Sequence, residues 1–162
     1  MKKDSKSPFL LSFLTQDMTR TKLFLNYFFG FIPLLFGGLI YISFRDERIL
    51  FFYWLRRFNI NYSLLRQIDI GTGIIQSYFV YSLPHGLWIL SGVLILGVIC
   101  RNRRNNFYVY ASILTTMAIF HEIGQKFGII RGTFDIADLV TIVVFSATGF
   151  LVYAFRRKNE KI

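Results

Sequence analysis

Between Leu23 and Phe44 the chain runs for 22 residues without a formal charge. As a helix rising about 1.5 Å per residue, such a run crosses roughly 30 Å, the thickness of a bilayer's hydrocarbon core. Pro33 falls inside it and would break a soluble helix. In a membrane helix, with Gly37 and Gly38 nearby, it reads as a bend packed against neighbours. A second uncharged stretch, Ile70 to Cys100, is too long for one crossing. Pro84 suits the first turn of a helix there, which sets the second span at 83–100. The third candidate is 107–130, apolar in its first half; the fourth is 136–155, with Asp138 in its first turn.

These runs explain an otherwise odd composition. The chain is 54% hydrophobic and 17% charged, yet its net charge is +10. Basic residues must therefore cluster outside the spans. Lys2, Lys3, Lys6, Arg20 and Lys22 precede the first span, Arg101, Arg103 and Arg104 follow the second, and Arg156, Arg157, Lys158 and Lys161 follow the fourth. These are twelve of the nineteen basic residues, and four spans put all of them on one side. By the positive-inside rule that side is the cytoplasm, with both termini on it. Arg45, Arg48, Arg56, Arg57, Arg66, Lys126 and Arg131 fall on the other side. No signal peptide is expected, because Thr15, Gln16 and Asp17 follow the short apolar run 8–14 where small residues would mark cleavage. A single cysteine, Cys100, excludes a disulfide scaffold, and the apolar content excludes a basic nucleic-acid-binding domain.

The expected fold class is all-α: a polytopic membrane helix bundle with four transmembrane helices and an interfacial segment between the first two. Residues 1–22 form a cytoplasmic, partly amphipathic arm, 23–155 the bundle, and 156–162 a basic tail. The outer segment, 45–82, carries the aromatic run 49–55 followed by Arg56 and Arg57. It either lies in the interface with Tyr53 and Trp54 at headgroup level, or extends the first span and packs on the bundle.

Polar residues in the spans are few and gather at one end. His85 starts the second span, His121, Glu122 and Gln125 end the third, Lys126, Arg131 and Asp135 lie beyond, and Asp138 starts the fourth. An ionised carboxylate in a bilayer normally faces the bundle interior and has a partner, so Glu122 and Asp138 are default site candidates. Structural roles compete with that reading. Glu122 has Lys126 four residues on and Arg131 nearby as ion-pair partners, Asp135 can cap the fourth helix, and Asp138 can answer its dipole. The fork of Arg131 suits a phosphate or carboxylate at the membrane surface. His121-Glu122 invites comparison with the zinc motif HExxH, but Gln125 stands where the second histidine belongs. A zinc site would need His85, His121 and carboxylates to converge, and neither a metal nor another cofactor is expected. No GxSxG motif occurs, and Gly71-Thr72-Gly73 reads as a loop.

Glu122-Ile-Gly-Gln125, Arg131-Gly-Thr-Phe-Asp135-Ile-Ala-Asp138-Leu139 and Gly149 together resemble the E-x-x-Q, R, D-x-x-D-L and G signature of VanZ-like bacterial membrane proteins. Tyr81-Ser-Leu-Pro-His85-Gly-Leu-Trp88 is similar to a stretch of small relatives in which the position of His85 is usually an aspartate. The resemblance covers about residues 78–155. It implies a small polytopic protein of the cytoplasmic membrane, in a family whose best-known member is associated with reduced glycopeptide susceptibility. The residues it carries over are Glu122, Gln125, Arg131, Asp135 and Asp138.

Three functions follow as expectations. In the first, Glu122, Gln125, Lys126, Arg131, Asp135 and Asp138 bind an anionic lipid headgroup or a lipid-linked cell-wall precursor. In the second, the protein is a membrane-embedded hydrolase or transferase, with Glu122 or Asp138 as base and His85 or His121 as its partner. In the third, it is a structural subunit of a membrane complex. Membrane lipids are the expected partners, and nucleic acid is not.

Overall fold

The computed structural model describes residues 8–44, 50–67 and 73–159. The first lysines of the arm, Arg45 and Arg48, Ile68, Gly71-Thr72 and Lys161 lie outside them. The described residues are helical with no β-strand: α1 is Pro8–Phe44, α2 Leu50–Arg57, α3 Ile74–Ser77, α4 Leu83–Ile99, α5 Arg104–Lys126 and α6 Ile136–Asn159. Three segments are long and apolar enough to cross a membrane: Phe24–Phe44, Tyr78–Ile99 and Ile136–Lys158. With its 23 residues α5 has the length, about 35 Å. Asn105, Asn106, Thr115, Thr116, His121, Glu122, Gln125 and Lys126 make it more polar than those three.

Element limits depart from the sequence reading for identifiable reasons. The arm is not separate from the first span over 8–22, because α1 runs unbroken through it and through Pro33. Upstream of Leu83 the second span does not stop at Pro84. A π-helical turn, Tyr78–Ser82, joins α3 to α4, and the Leu83 amide donates to the Tyr78 carbonyl. Proline has no amide to donate and its ring crowds the preceding turn; one wide turn absorbs that without ending the helix. The helix of the third candidate, α5, ends at Lys126 rather than at Ile130. Gly128 takes a left-handed φ of +69°, its amide donates to the Gln125 carbonyl at 3.0 Å, and that of Ile129 donates to Gly124 at 2.9 Å. This double closure with glycine at its pivot terminates a helix.

Helix directions follow from cross-helix neighbours. The Ser91 hydroxyl donates to the Gly30 carbonyl at 2.7 Å, while Gly37 abuts Trp88, so α1 and α4 run antiparallel. Gly97 meets Phe107 and Gly92 meets Leu114, so α4 and α5 are antiparallel as well. Thr115 donates to Ser146 at 3.1 Å and Phe107 stacks on Tyr153, with ring centroids 3.5 Å apart, which sets α5 antiparallel to α6. α4 is central, touching α1, α5 and α6. Lipid tails are as apolar as the helices, so burial alone does not hold such helices together; close approach at small residues and interhelical hydrogen bonds do. The outward faces are correspondingly apolar, with Phe24, Phe36, Met117, Phe120, Leu151 and Phe155 all exposed.

The segment between α1 and α4 is two-sided. Phe52 and Leu55 are buried while Tyr53, Trp54 and Phe58 are exposed. Asn59, at φ 54°, ends α2 in the same double closure, with Ile60 donating to Leu55 and Asn59 to Arg56. Arg66 then fastens this segment to the bundle, lying over the Phe52 ring and reaching the Ile42 carbonyl at 3.4 Å.

Candidate functional site

The antiparallel arrangement collects the start of α4, the end of α5 and the start of α6 at one end of the bundle. There α4 and α6 come close because residue 86 is glycine. A Cβ at Gly86 would run into the Thr141 methyl and stand 2.8 Å from the Phe145 ring. Next to that contact, His85 Nδ1 lies 3.3 Å from Asp138 Oδ2. Thr141, fully buried, donates to the Tyr78 hydroxyl at 3.3 Å and so ties α6 to the π turn.

Glu122 enters from α5. Ligand-capable atoms of His85, Glu122 and Asp138 all lie within 4.8 Å of one another, and Glu122 and Asp138 are only 2% and 6% exposed. Two carboxylates at this separation, withdrawn from water, repel each other unless something positive or proton-bearing sits with them. Compensation from the protein is incomplete, since Glu122 Oε2 is buried with no hydrogen-bond partner and the nearest His121 nitrogen stands 3.8 Å from Oε1. His85 Nδ1, although close to Asp138, lacks the alignment of a hydrogen bond.

A cleft of about 470 Å³ opens onto this cluster, with Tyr81, His85, Gln125, Thr133, Asp135 and Asp138 in its walls. Gly132 lets the α5–α6 loop pass beside Gln125: its φ is +148° and a Cβ there would lie 2.6 Å from the Gln125 amide carbon. Gln125 in turn has its amide nitrogen 3.2 Å from His121 Nδ1. Asp135 Oδ1 accepts from the Ala137 amide at 2.9 Å, a capping contact at the start of α6.

Of the residues singled out from sequence, His85, Glu122 and Asp138 converge. Gln125 and Asp135 line the cleft. His121 is exposed and outside the converging set. Lys126 is exposed and lies with its ammonium 5.4 Å from the centre of the Phe134 ring, and Arg131 is exposed on the loop. Ser77 and Tyr81, which sequence reasoning did not place in the site, also line the cleft. They precede His85 at successive four-residue steps, and that helical stripe was the available signal.

The opposite end of the bundle is basic. Asn26 of α1, Gly97, Arg101, Tyr153, Arg156 and Arg157 border a crevice of about 40 Å³, where Arg157 donates to the Tyr153 hydroxyl at 3.1 Å. Cys100 is buried at this end, next to Phe107 and Tyr153 and away from both histidines. Comparison with family models, with curated proteins and with solved structures finds no match.

Proposed function

We propose that this is a VanZ-like integral protein of the bacterial cytoplasmic membrane, with four crossings and both termini in the cytoplasm. Its outer bundle end binds the headgroup of an anionic amphiphile, a lipid or a lipid-linked cell-wall precursor. One observation carries the reading: the half-buried His85 imidazole and the buried Asp138 carboxylate line a 470 Å³ cleft, and the buried Glu122 carboxylate lies within 4.8 Å of both. Protein interiors do not hold such a group of polar side chains together without a use for it. Lys126 and Arg131 adjoin cleft residues in the chain and suit the phosphate at the rim. Gln125 and Thr133 offer hydrogen bonds along the wall, and His85 and Asp138, with Glu122 close to both, engage the oxygen-rich part of the headgroup. The motif order from Glu122 to Asp138 supports the family, and through it a link to glycopeptide susceptibility.

Native mass spectrometry of the gently extracted protein tests the reading. The expected spectrum contains one retained copy of an anionic amphiphile, and Arg131→Ala should weaken its retention while leaving membrane insertion intact. A spectrum of bare protein, or a featureless ladder of bulk lipids, contradicts it.

The 3.3 Å approach of His85 to Asp138 favours a second reading, acid–base catalysis on a lipid-linked substrate. Incubation with a lipid-linked diphosphate should then release a product, and His85→Ala should abolish that release. An unchanged substrate leaves binding as the function.

A further inference from the structure

The chemistry of the cluster goes one step further than headgroup binding. His85, Glu122 and Asp138 come from three different helices, yet each brings a ligand-capable atom to within 4.8 Å of the other two. The His85 Nδ1 to Asp138 Oδ2 distance is 3.3 Å. Two ligands on a tetrahedral zinc ion, each bonded at about 2.1 Å, stand about 3.4 Å apart. That pair therefore already has the edge length of a metal site, and Glu122, within 4.8 Å of both, needs to draw in by no more than about 1.4 Å. Glu122 is 2% exposed and its Oε2 has no hydrogen-bond partner, so a carboxylate that belongs to the cluster keeps a buried acceptor with nothing to accept from.

Charge argues the same way. Two carboxylates and a neutral imidazole carry a formal charge of −2, which one divalent cation cancels. The donor set of one nitrogen and two oxygens selects the cation. Magnesium and calcium sites are built from oxygen, whereas imidazole suits the first-row transition metals. Three protein ligands leave a coordination position open, and His85 and Asp138 both line the cleft, so that position faces it.

We propose that His85, Glu122 and Asp138 bind one divalent transition-metal cation of the zinc class, with its open position turned to the cleft. The metal site stands on these three side chains alone; that the open position takes an oxygen of the amphiphile's headgroup rests on the headgroup reading. A cation there lets a carboxylate cluster receive an anionic ligand that it would otherwise repel.

The test uses the untagged, full-length protein in detergent, stripped with a chelator and titrated with zinc chloride, with bound metal counted by elemental mass spectrometry. The expected result is one zinc per chain, bound at least about tenfold more tightly than magnesium. His85→Ala, Glu122→Gln and Asp138→Asn should each weaken binding roughly tenfold or more, and His121→Ala should leave it unchanged. Zinc joins three helix ends, so it should raise the melting temperature of the wild type and not of the three variants. Helix content and melting of the metal-free variants show that each one folds. No saturable binding, binding that survives all three substitutions, or binding lost in His121→Ala overturns the site. Equal affinity for magnesium overturns the metal class. A chain that retains the amphiphile but binds no zinc removes the metal site alone, and one that binds zinc but retains no amphiphile removes the headgroup reading alone.

Discussion

Glu122 concentrates the physical problem of this protein in one side chain. It is buried, lies near a second carboxylate, and keeps one oxygen without a hydrogen bond, an arrangement that stability alone does not favour. Replacing it by glutamine removes the like-charge repulsion and supplies an amide that can donate to Asp138. Glu122→Gln is therefore expected to stabilise the ligand-free protein by about 1 kcal/mol, read as a higher melting temperature in detergent. A fall of several degrees would mark Glu122 as structural. Asp135 behaves differently, because its carboxylate accepts from the Ala137 amide. Asp135→Ala should cost about 1 kcal/mol of stability through loss of the cap, and an unchanged melting temperature would argue against that role. Glu122 and Asp138 were legible in the sequence because carboxylates are scarce in apolar runs. The acid–base reading also offered His85 as a partner of one of them; that both carboxylates meet it in one cluster was not legible. Spacing offered Lys126 as an ion-pair partner, but Lys126 is exposed in the last turn and lies against Phe134, leaving Glu122 to face α4 and α6. Local spacing reports which residues share a helix face; it does not report what the neighbouring helix brings to that face.

Helix boundaries show the same division between local and distant causes. The core of each long helix follows from its apolar run, and the start of α6 at Ile136 follows from the cap at Asp135. Two limits needed backbone detail that composition does not carry: the π turn before Pro84, and the closure at Gly128. Contacts between elements depend on small residues whose partners lie on other helices, which spacing along one helix does not report. Gly86 is the sharpest case, since a side chain there would collide with Thr141 and Phe145. Gly86→Val should destabilise the bundle by about 1–3 kcal/mol and separate His85 from Asp138; a variant with wild-type melting would show that α4 and α6 do not pack as described. Ser91 joins α4 to the Gly30 carbonyl of α1. Its removal in Ser91→Ala is expected to cost about 0.6 kcal/mol, as for other interhelical hydrogen bonds in membranes, measured by unfolding in mixed micelles.

At the scale of the whole molecule, antiparallel packing converts a linear pattern of charge into two opposite ends. Arg101, Arg156 and Arg157 gather at one, and His85, Glu122 and Asp138 at the other. The sequence carried this polarity because basic residues flank the apolar runs, while the alternation of helix direction makes it a property of the fold. With four crossings, a cysteine introduced at Thr133 in a Cys100→Ser background should react with an impermeant maleimide added outside intact cells. One at Asn102 should react only after the cells are opened, and the reverse pattern would invert the topology. The central claim is that the converged polar end is a ligand site and not a packing feature, and it is met most directly by native mass spectrometry of wild type and Glu122→Gln side by side. The wild type should retain one anionic amphiphile, and the variant, equally folded, should lose it. Equal retention by both would contradict the claim.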